Sequence, residues 1–373
     1  MKLKSIVLTT GIFPPDIGGP ASFIPIFANR LVNKGIEVTV VTLTDKEEDD
    51  TNLPYKVVRI SRNIKKPFRD ILVIKEIVKA TKNSDLIFSN TLAFESAVAS
   101  KLSGKKLVQK IVGDIAWERA NGCGRFEGNL EEYQKASLDI KSKFTNIYRS
   151  FTVKKSELII TPSYYLKNIV SGWDYPKDKI KVIYNAVEFE EANKKIEKNK
   201  FRIISVARLI PLKGIETIIK VLSRLSFPFE YIIVGDGELR DNLCQLAKES
   251  NIDIFFTGNL SKVEVANWLN SSDVFIQNSI HETMPHVILE AMENSCPVLA
   301  SSVGGTPEIV KDMENGLLFE HNNLDELFKK INLIKDDIKL REKLVENGKA
   351  FTKEFANVDK MVERYIKVIE DVI

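Results

Sequence analysis

Residues 278–301, Asn278-Ser-Ile-His-Glu282-Thr-Met-Pro285-His-Val-Ile-Leu-Glu290-Ala-Met-Glu-Asn-Ser-Cys296-Pro-Val-Leu-Ala-Ser301, read as a loop, a helix and a strand in succession. An apolar run, 274–278, precedes them, Pro285 stands where a helix begins, and 297–301 is apolar again. Strand, helix and strand in so short a span make a βαβ unit, which requires a parallel sheet. Glu282 then falls in the loop before the helix and Glu290 inside it, about 7 Å along the axis from Pro285. Amides at the helix start have no intrahelical partner, so phosphate oxygens can sit between the two carboxylates. One carboxylate can hold sugar hydroxyls and the other ribose hydroxyls. Solvent-facing or capping carboxylates are the plainer alternative at this spacing.

The same alternation runs outward along the whole chain. Strands are expected at 5–10, 37–43, 56–60, 86–89, 106–112, 158–161 and 181–184, and the pattern restarts at 202–207, 230–234, 253–257, 274–278 and 297–301. Helices are expected at 214–225, 239–250, 262–270 and 285–293. The stretch 187–200, VEFEEANKKIEKNK, is polar and has no core-facing stripe. Four parts follow: a first Rossmann-like domain over 1–186 for the acceptor, a linker over 187–200, a second Rossmann-like domain over 201–357 for a nucleotide, and an amphipathic segment 358–373 that packs back across the junction. Two doubly wound α/β domains facing each other leave a cleft at the carboxyl ends of their strands, the usual ligand position.

A chain of 373 residues is long enough for two cores, and 44% hydrophobic with 28% charged residues is an ordinary globular mixture. Cys123, Cys244 and Cys296 lie far apart with no metal or redox spacing, which fits a reducing, cytoplasmic setting. No window is long and apolar enough to span a bilayer. Net charge is +3, but residues 1–185 hold 30 Lys and Arg against 20 Asp and Glu, while 186–373 hold 24 against 31. A basic first half suits phosphates of a lipid-linked acceptor or an anionic membrane at the inner face, though an unevenly charged solvated surface reads equally well. The balance is too even and the basic tract too short for nucleic acid.

Motifs fall in loops directly after strands. Gly18 and Gly19 sit between the first strand and its helix, where backbone can approach a ligand. Arg208 and Lys213, five residues apart after strand 202–207, can clamp a diphosphate, Arg as a fork and Lys as a point charge. Gly235-Asp236-Gly237-Glu238 follows the next strand; two carboxylates on one turn more often begin a helix than hold a metal, so no metal and no cofactor is expected. On the basic side, Arg62, Lys65, Lys66 and Arg69 surround Pro67 and Phe68, and Trp117 with Arg119 mixes aromatic and basic character.

The ordered set Gly18-Gly19, Arg208…Lys213-Gly214, Gly235-Asp236-Gly237, Glu282-x7-Glu290-Ala-Met, Gly304-Gly-Thr-Pro-Glu308 and Asn315-Gly-Leu-Leu-Phe319 resembles glycosyltransferase family 4. The resemblance implies the GT-B fold, a nucleotide diphosphate sugar (UDP- or GDP-linked) as donor, metal-independent chemistry and retention of anomeric configuration. It places Arg208 and Lys213 on the diphosphate and Glu282 on the sugar hydroxyls. Thr283, Met284 and Pro285 then line the donor, Glu290 contacts the ribose, and Gly235 and Asp236 lie beside the nucleotide. Gly18 and Gly19 border the reacting phosphate. Many members carry a His after the strand corresponding to 106–112; here Gly113-Asp114 stands there, and the histidines are His281, His286 and His321. Gly113 would then offer its carbonyl and Asp114 an acceptor to the reacting centre.

The leading expectation is a hexosyltransferase of polysaccharide, lipopolysaccharide or glycolipid synthesis acting on a glycan or lipid-linked acceptor. A nucleotide-sugar 2-epimerase of the same architecture and a silent nucleotide-sugar-binding subunit are the alternatives.

Overall fold

The structure, a computed structural model, describes residues 2–16, 18–46, 48–355 and 357–373. It divides into two units, Met1–Tyr184 with Asp359–Ile373, and Asn185–Val358.

The first unit runs β1 (Ser5–Thr10), α1 (Gly19–Asn33), β2 (Glu37–Thr44), β3 (Lys56–Ser61), α2 (Phe68–Ala80), β4 (Leu86–Ser89), α3 (Ala93–Ser103), β5 (Lys106–Lys110), α4 (Ile115–Gly122), α5 (Leu130–Lys135), α6 (Ile140–Lys154), β6 (Leu158–Thr161), α7 (Tyr164–Val170) and β7 (Ile180–Val182). Its sheet is parallel throughout, in the order β3-β2-β1-β4-β5-β6-β7. Every residue of β1, β4 and β6 is buried, as helix-covered parallel strands demand.

The second unit runs β8 (Phe201–Val206), α8 (Ile215–Leu222), β9 (Phe229–Val234), α9 (Arg240–Glu249), β10 (Ile254–Gly258), α10 (Lys262–Asn270), β11 (Val274–Gln277), α11 (His286–Glu293), β12 (Val298–Ser301), α12 (Thr306–Ile309), β13 (Leu317–Phe319), α13 (Leu324–Asp336) and α14 (Ile338–Phe355). Its parallel sheet is ordered β10-β9-β8-β11-β12-β13. Strand order reverses between β1 and β4 in one sheet and between β8 and β11 in the other. Loops leaving the carboxyl ends there diverge and open a crevice.

The polar stretch 187–200 carries no helix or strand and is strapped onto the second unit. Amides of Asn193 and Lys194 donate to Asn267 Oδ1 at 2.9 and 3.0 Å, and that of Ile196 to Ser271 Oγ at 2.8 Å. The Arg202 guanidinium binds the carbonyls of Ile196 and Glu197 at 3.1 and 2.7 Å while pairing with Glu230 at 2.8 Å.

The final helix, α15 (Val358–Glu370), belongs with the first unit. Arg30 pairs with Asp359 at 2.9 Å, Lys34 with Glu363 at 3.2 Å, and Glu370 accepts from the Leu3 amide at 2.9 Å. Tyr365 completes an aromatic cluster, its ring 5.2–5.8 Å from those of Phe23, Phe27 and Phe88. Lys110, 2% exposed, leaves the end of β5 to lie with Nζ 3.1 Å above the Phe23 ring and 5.3 Å from that of Tyr365. Burial pushes this amine well below the ordinary lysine value of 10.5.

A lysine with a depressed native pKa binds fewer protons folded than unfolded, so its burial is best tolerated above 10.5 and costs stability as pH falls from there. Lys110→Met is therefore expected to raise the urea midpoint at pH 7.5. The gain should shrink toward pH 9.5, with a limiting slope of about 1.4 kcal/mol per pH unit. An equal midpoint difference at both values would count against a neutral buried amine.

Candidate active site

In the second unit, the crevice between β8 and β11 gathers the residues singled out in the sequence. After β8, one 3-10 turn, Pro211–Lys213, carries the Lys213 side chain back over the strand ends. Its Nζ lies 2.5 Å from Oε1 of Glu282, in the loop after β11. The same oxygen accepts from Gln277 Nε2 at 2.9 Å and Ser279 Oγ at 2.7 Å. Behind Glu282, its carbonyl accepts from the Gly305 amide at 2.8 Å. Gly304 has φ +55, and a Cβ there would stand 2.0 Å from that carbonyl oxygen, so only glycine fits. Gly235 has the same character: at φ +126 its Cβ would meet the Ala207 carbonyl oxygen at 2.1 Å. Arg208 is exposed and makes no ion pair among the described residues.

Three residues beyond Glu282, Pro285 stands at the cap position before α11. No side chain caps that end and no acid occupies its first turn. Its amides and dipole are therefore left without an internal carboxylate to satisfy them, an arrangement that suits an anion. Met284 is buried, its sulfur 3.2 Å from the Asn185 amide, and His286 Nε2 lies 3.1 Å from Asn185 Nδ2. Thr283 is half-buried on the same loop. Glu290, one helical turn further in, lines a cavity of about 90 Å3 with Phe189, Val206, Leu260 and Lys262. Burial pushes its carboxyl above the usual range, and the Lys262 charge opposes this. Asp236 is exposed; its carboxylate closes its own turn onto the Gly237 amide at 2.8 Å and lies 3.5 Å from Arg240.

Composition alone gave no signal for Gln277, Ser279 or Asn278, which hold this site in shape. Asn278 Oδ1 lies 3.2 Å from His321 Nδ1, and its Nδ2 donates to the Gly214 carbonyl at 3.1 Å.

In the first unit, a cavity of about 310 Å3 opens at the ends of β1, β4 and β5, lined by Gly11, Thr91, Gly113, Glu118, Tyr148 and the cations Lys66, Arg69 and Arg119. Glu95 also lines it; burial pushes its carboxyl up, Asp70 adds to this, and Lys66 and Arg69 oppose it. Lys65 is exposed and outside the lining. Gly18 caps α1 and Gly19 begins it, while Ile17 lies outside the described residues.

Three expected contacts are corrected. Asp114 is wholly buried: it caps α4 by accepting from the Ala116 amide at 2.9 Å, pairs with Arg149 and accepts from Gln134 at 3.0 Å. Wholly buried and absent from the cavity lining, it does not reach a reacting centre. Trp117 is 3% exposed, its Nε1 donating to the Gly128 carbonyl at 3.1 Å, so it is core rather than acceptor surface. Arg62 is held by Asp16, by Asp45 at 2.7 Å and by the Gly11 carbonyl at 2.8 Å, and Asp16 in turn is kept below the usual carboxylate range mainly by Arg62. Its guanidinium fastens the glycine loop to the sheet edge.

Gly113 shows what replaces a side chain at the end of β5. A Cβ there would lie 2.3 Å from Oε1 of Glu118, whose carboxylate fills that part of the cavity from the first turn of α4.

Two family profiles match in succession, "Glycosyltransferase Family 4" over residues 17–191 and "Glycosyl transferases group 1" over 187–351. An uncharacterized glycosyltransferase of Methanocaldococcus jannaschii is 30% identical across 98% of this chain and 98% of its own. The Campylobacter jejuni N-acetylgalactosamine-N,N'-diacetylbacillosaminyl-diphospho-undecaprenol 4-alpha-N-acetylgalactosaminyltransferase is 28% identical over 59% of this chain and 63% of its own. Among solved structures, Anabaena HepE in complex with UDP and glucose superposes with a TM-score of 0.78 over 99% of this chain and 100% of its own, at 19% identity, sharing the fold. Among the described residues, no helix is long and apolar enough to cross a membrane. With two parallel α/β units and both profiles matched in order, the chain is a GT-B glycosyltransferase belonging to the group 1 enzymes of family 4.

Proposed function

We propose that this glycosyltransferase moves a hexose-type sugar from a nucleoside diphosphate donor to a glycan or lipid-linked acceptor, keeping the anomeric configuration and using no metal. The observation that carries the reading is the Lys213–Glu282 pair at the β8/β11 reversal, beside the uncapped start of α11. A diphosphate fits between Lys213, Arg208 and the α11 amides, which supply positive charge where the leaving group gains negative charge. Lys213 has three N–H donors, so it can bind a phosphate oxygen and still orient Glu282. Glu282 then accepts from sugar hydroxyls, and Glu290 from ribose hydroxyls in its apolar-walled cavity. Gly235 and Asp236 border the nucleotide through their backbone, and Thr283, Met284 and Pro285 shape the loop around the phosphates. A uridine donor follows the ligand named in the Anabaena structure, with guanosine as its competitor.

In the transfer, the bond between the anomeric carbon and the phosphate oxygen breaks while the acceptor oxygen bonds that carbon from the same face. The hydroxyl proton passes to an oxygen of the departing diphosphate, so no protein base is needed. The protein contributes position and charge stabilisation. On the acceptor side, Lys66, Arg69 and Arg119 around the cavity in the first unit suit phosphates, while Glu95 and Glu118 suit sugar hydroxyls. The lipid diphosphate named in the Campylobacter enzyme has this chemistry.

Three experiments test this. A panel of UDP, GDP and their sugars is screened by thermal unfolding. One base should stabilise by about 2.7 kcal/mol at a hundred times its dissociation constant, and Glu290→Ala should abolish the shift. Lys213→Ala and Arg208→Ala should lower kcat about 10²–10³-fold with a smaller change in donor affinity, in the presence of chelator. Full turnover in both variants would remove the clamp. Independently, Lys66→Glu with Arg69→Glu should raise the acceptor KM about tenfold and leave donor binding unchanged. An unchanged KM would move the acceptor elsewhere.

A further inference from the structure

Helix α6 carries four large apolar side chains that the fold leaves exposed: Ile140 (73%), Phe144 (67%), Ile147 (65%) and Phe151 (38%). At about 100° per residue these fall within roughly 60° of arc, a single stripe along the helix. The opposite side is the one the fold uses, with Ser142, Arg149, Thr152 and Val153 buried. Exposed Lys143 and Lys154 flank the stripe on one side and Lys141 and Lys155 on the other, within roughly 100° of it. No Asp or Glu occurs between Ile140 and Lys155. Lys154 pairs with exposed Asp174, and Lys155 lies 5.9 Å from the Phe151 ring. The arrangement recurs at the start of α2, where Phe68 (69%) and Ile71 (58%) are exposed beside Lys65, Lys66 and Lys75.

We infer that this face of α6, with the tip of α2, lies on an anionic phospholipid surface. Apolar residues along one stripe with cations at both margins can insert side chains below the headgroups while lysines meet the lipid phosphates. A protein partner of equal apolarity would not require cations on both margins. Arg69 of α2, Lys66 just before that helix and Tyr148 of α6 line one cavity, so both elements that carry the exposed apolar groups flank the proposed acceptor pocket. A lipid-linked acceptor could then be drawn from the surface on which the enzyme rests. The inference deepens the acceptor reading proposed above, but vesicle binding requires neither donor nor turnover, so the two can fail separately.

The full chain is sedimented with phosphatidylcholine vesicles with and without phosphatidylglycerol. Binding is expected only with the anionic lipid, falling as salt rises. Phe144→Ser with Ile147→Ser, and separately Lys141→Glu with Lys143→Glu, should each weaken partitioning about tenfold while the nucleotide-induced thermal shift is retained. All four residues are exposed, so the variants leave the core intact. Failure of the native chain to bind anionic vesicles, or equal binding by both variants, would overturn the inference. So would a native dimer by sedimentation velocity that the serine variant dissociates, which would assign the stripe to a second copy.

Discussion

One carboxylate oxygen fixes the geometry of the second unit's site. Oε1 of Glu282 accepts from Lys213, Gln277 and Ser279, which come from the loop after β8, the end of β11 and the loop after β11. The backbone of the same residue is clamped from behind by the loop after β12, where Gly304 leaves room for nothing larger than hydrogen. Three adjacent strand ends are thus tied to one residue. A partly buried ion pair of this kind contributes little net stability, because desolvation offsets the attraction. Its value lies in orientation: Lys213 and Glu282 hold each other poised over the start of α11.

Elsewhere the charges near the sites are spent on the fold itself. Asp114 and Arg149 meet inside the first unit, with the guanidinium 4.0 Å from the Trp173 ring, so an apparent reactive carboxylate is a helix cap and an internal ion pair. Arg62 binds two carboxylates and a carbonyl, holding the glycine loop after β1 against the edge of the sheet. Each of these groups is satisfied within its own unit, whereas Lys66, Arg69 and Arg119 line the first cavity and exposed Arg208 makes no ion pair among the described residues.

Most of the architecture was legible because buried parallel strands impose a strong pattern. The expected 5–10, 86–89 and 158–161 coincide with β1, β4 and β6, and most other strands differ by a residue at an end. Residues 106–112 were read two residues too long, since the apolar Ile111 and Val112 continue the run after pairing ends at Lys110. The short strand β13 was not among the expected strands. Lys213, Glu282 and Glu290 stood out because loops after strands and helix starts are local features. Asp114, Trp117 and Arg62 were misread because their partners, Arg149, Gly128 and Asp16, lie many residues away, and a local window cannot tell an inward charge from an outward one. The α6 stripe went unnoticed for the opposite reason: a stripe at helical spacing reads as core, and only the packing shows which side faces out.

The end of β5 shows how one site can exchange its parts. A side chain at position 113 would project into the first cavity from the strand end, where the family often places a histidine. Here the position is bare, and the Glu118 carboxylate occupies that space from the next helix. The two positions share one volume: a side chain at 113 displaces the tip of the exposed Glu118 chain, and a shorter residue at 118 leaves the space open. The substitution also changes the chemistry, since a carboxyl group offers oxygens where an imidazole offers ring nitrogens. The cavity lining consequently combines the cations Lys66, Arg69 and Arg119 with the carboxyl groups of Glu95 and Glu118. Such a lining favours a ligand that carries both phosphates and hydroxyls over one that carries either alone.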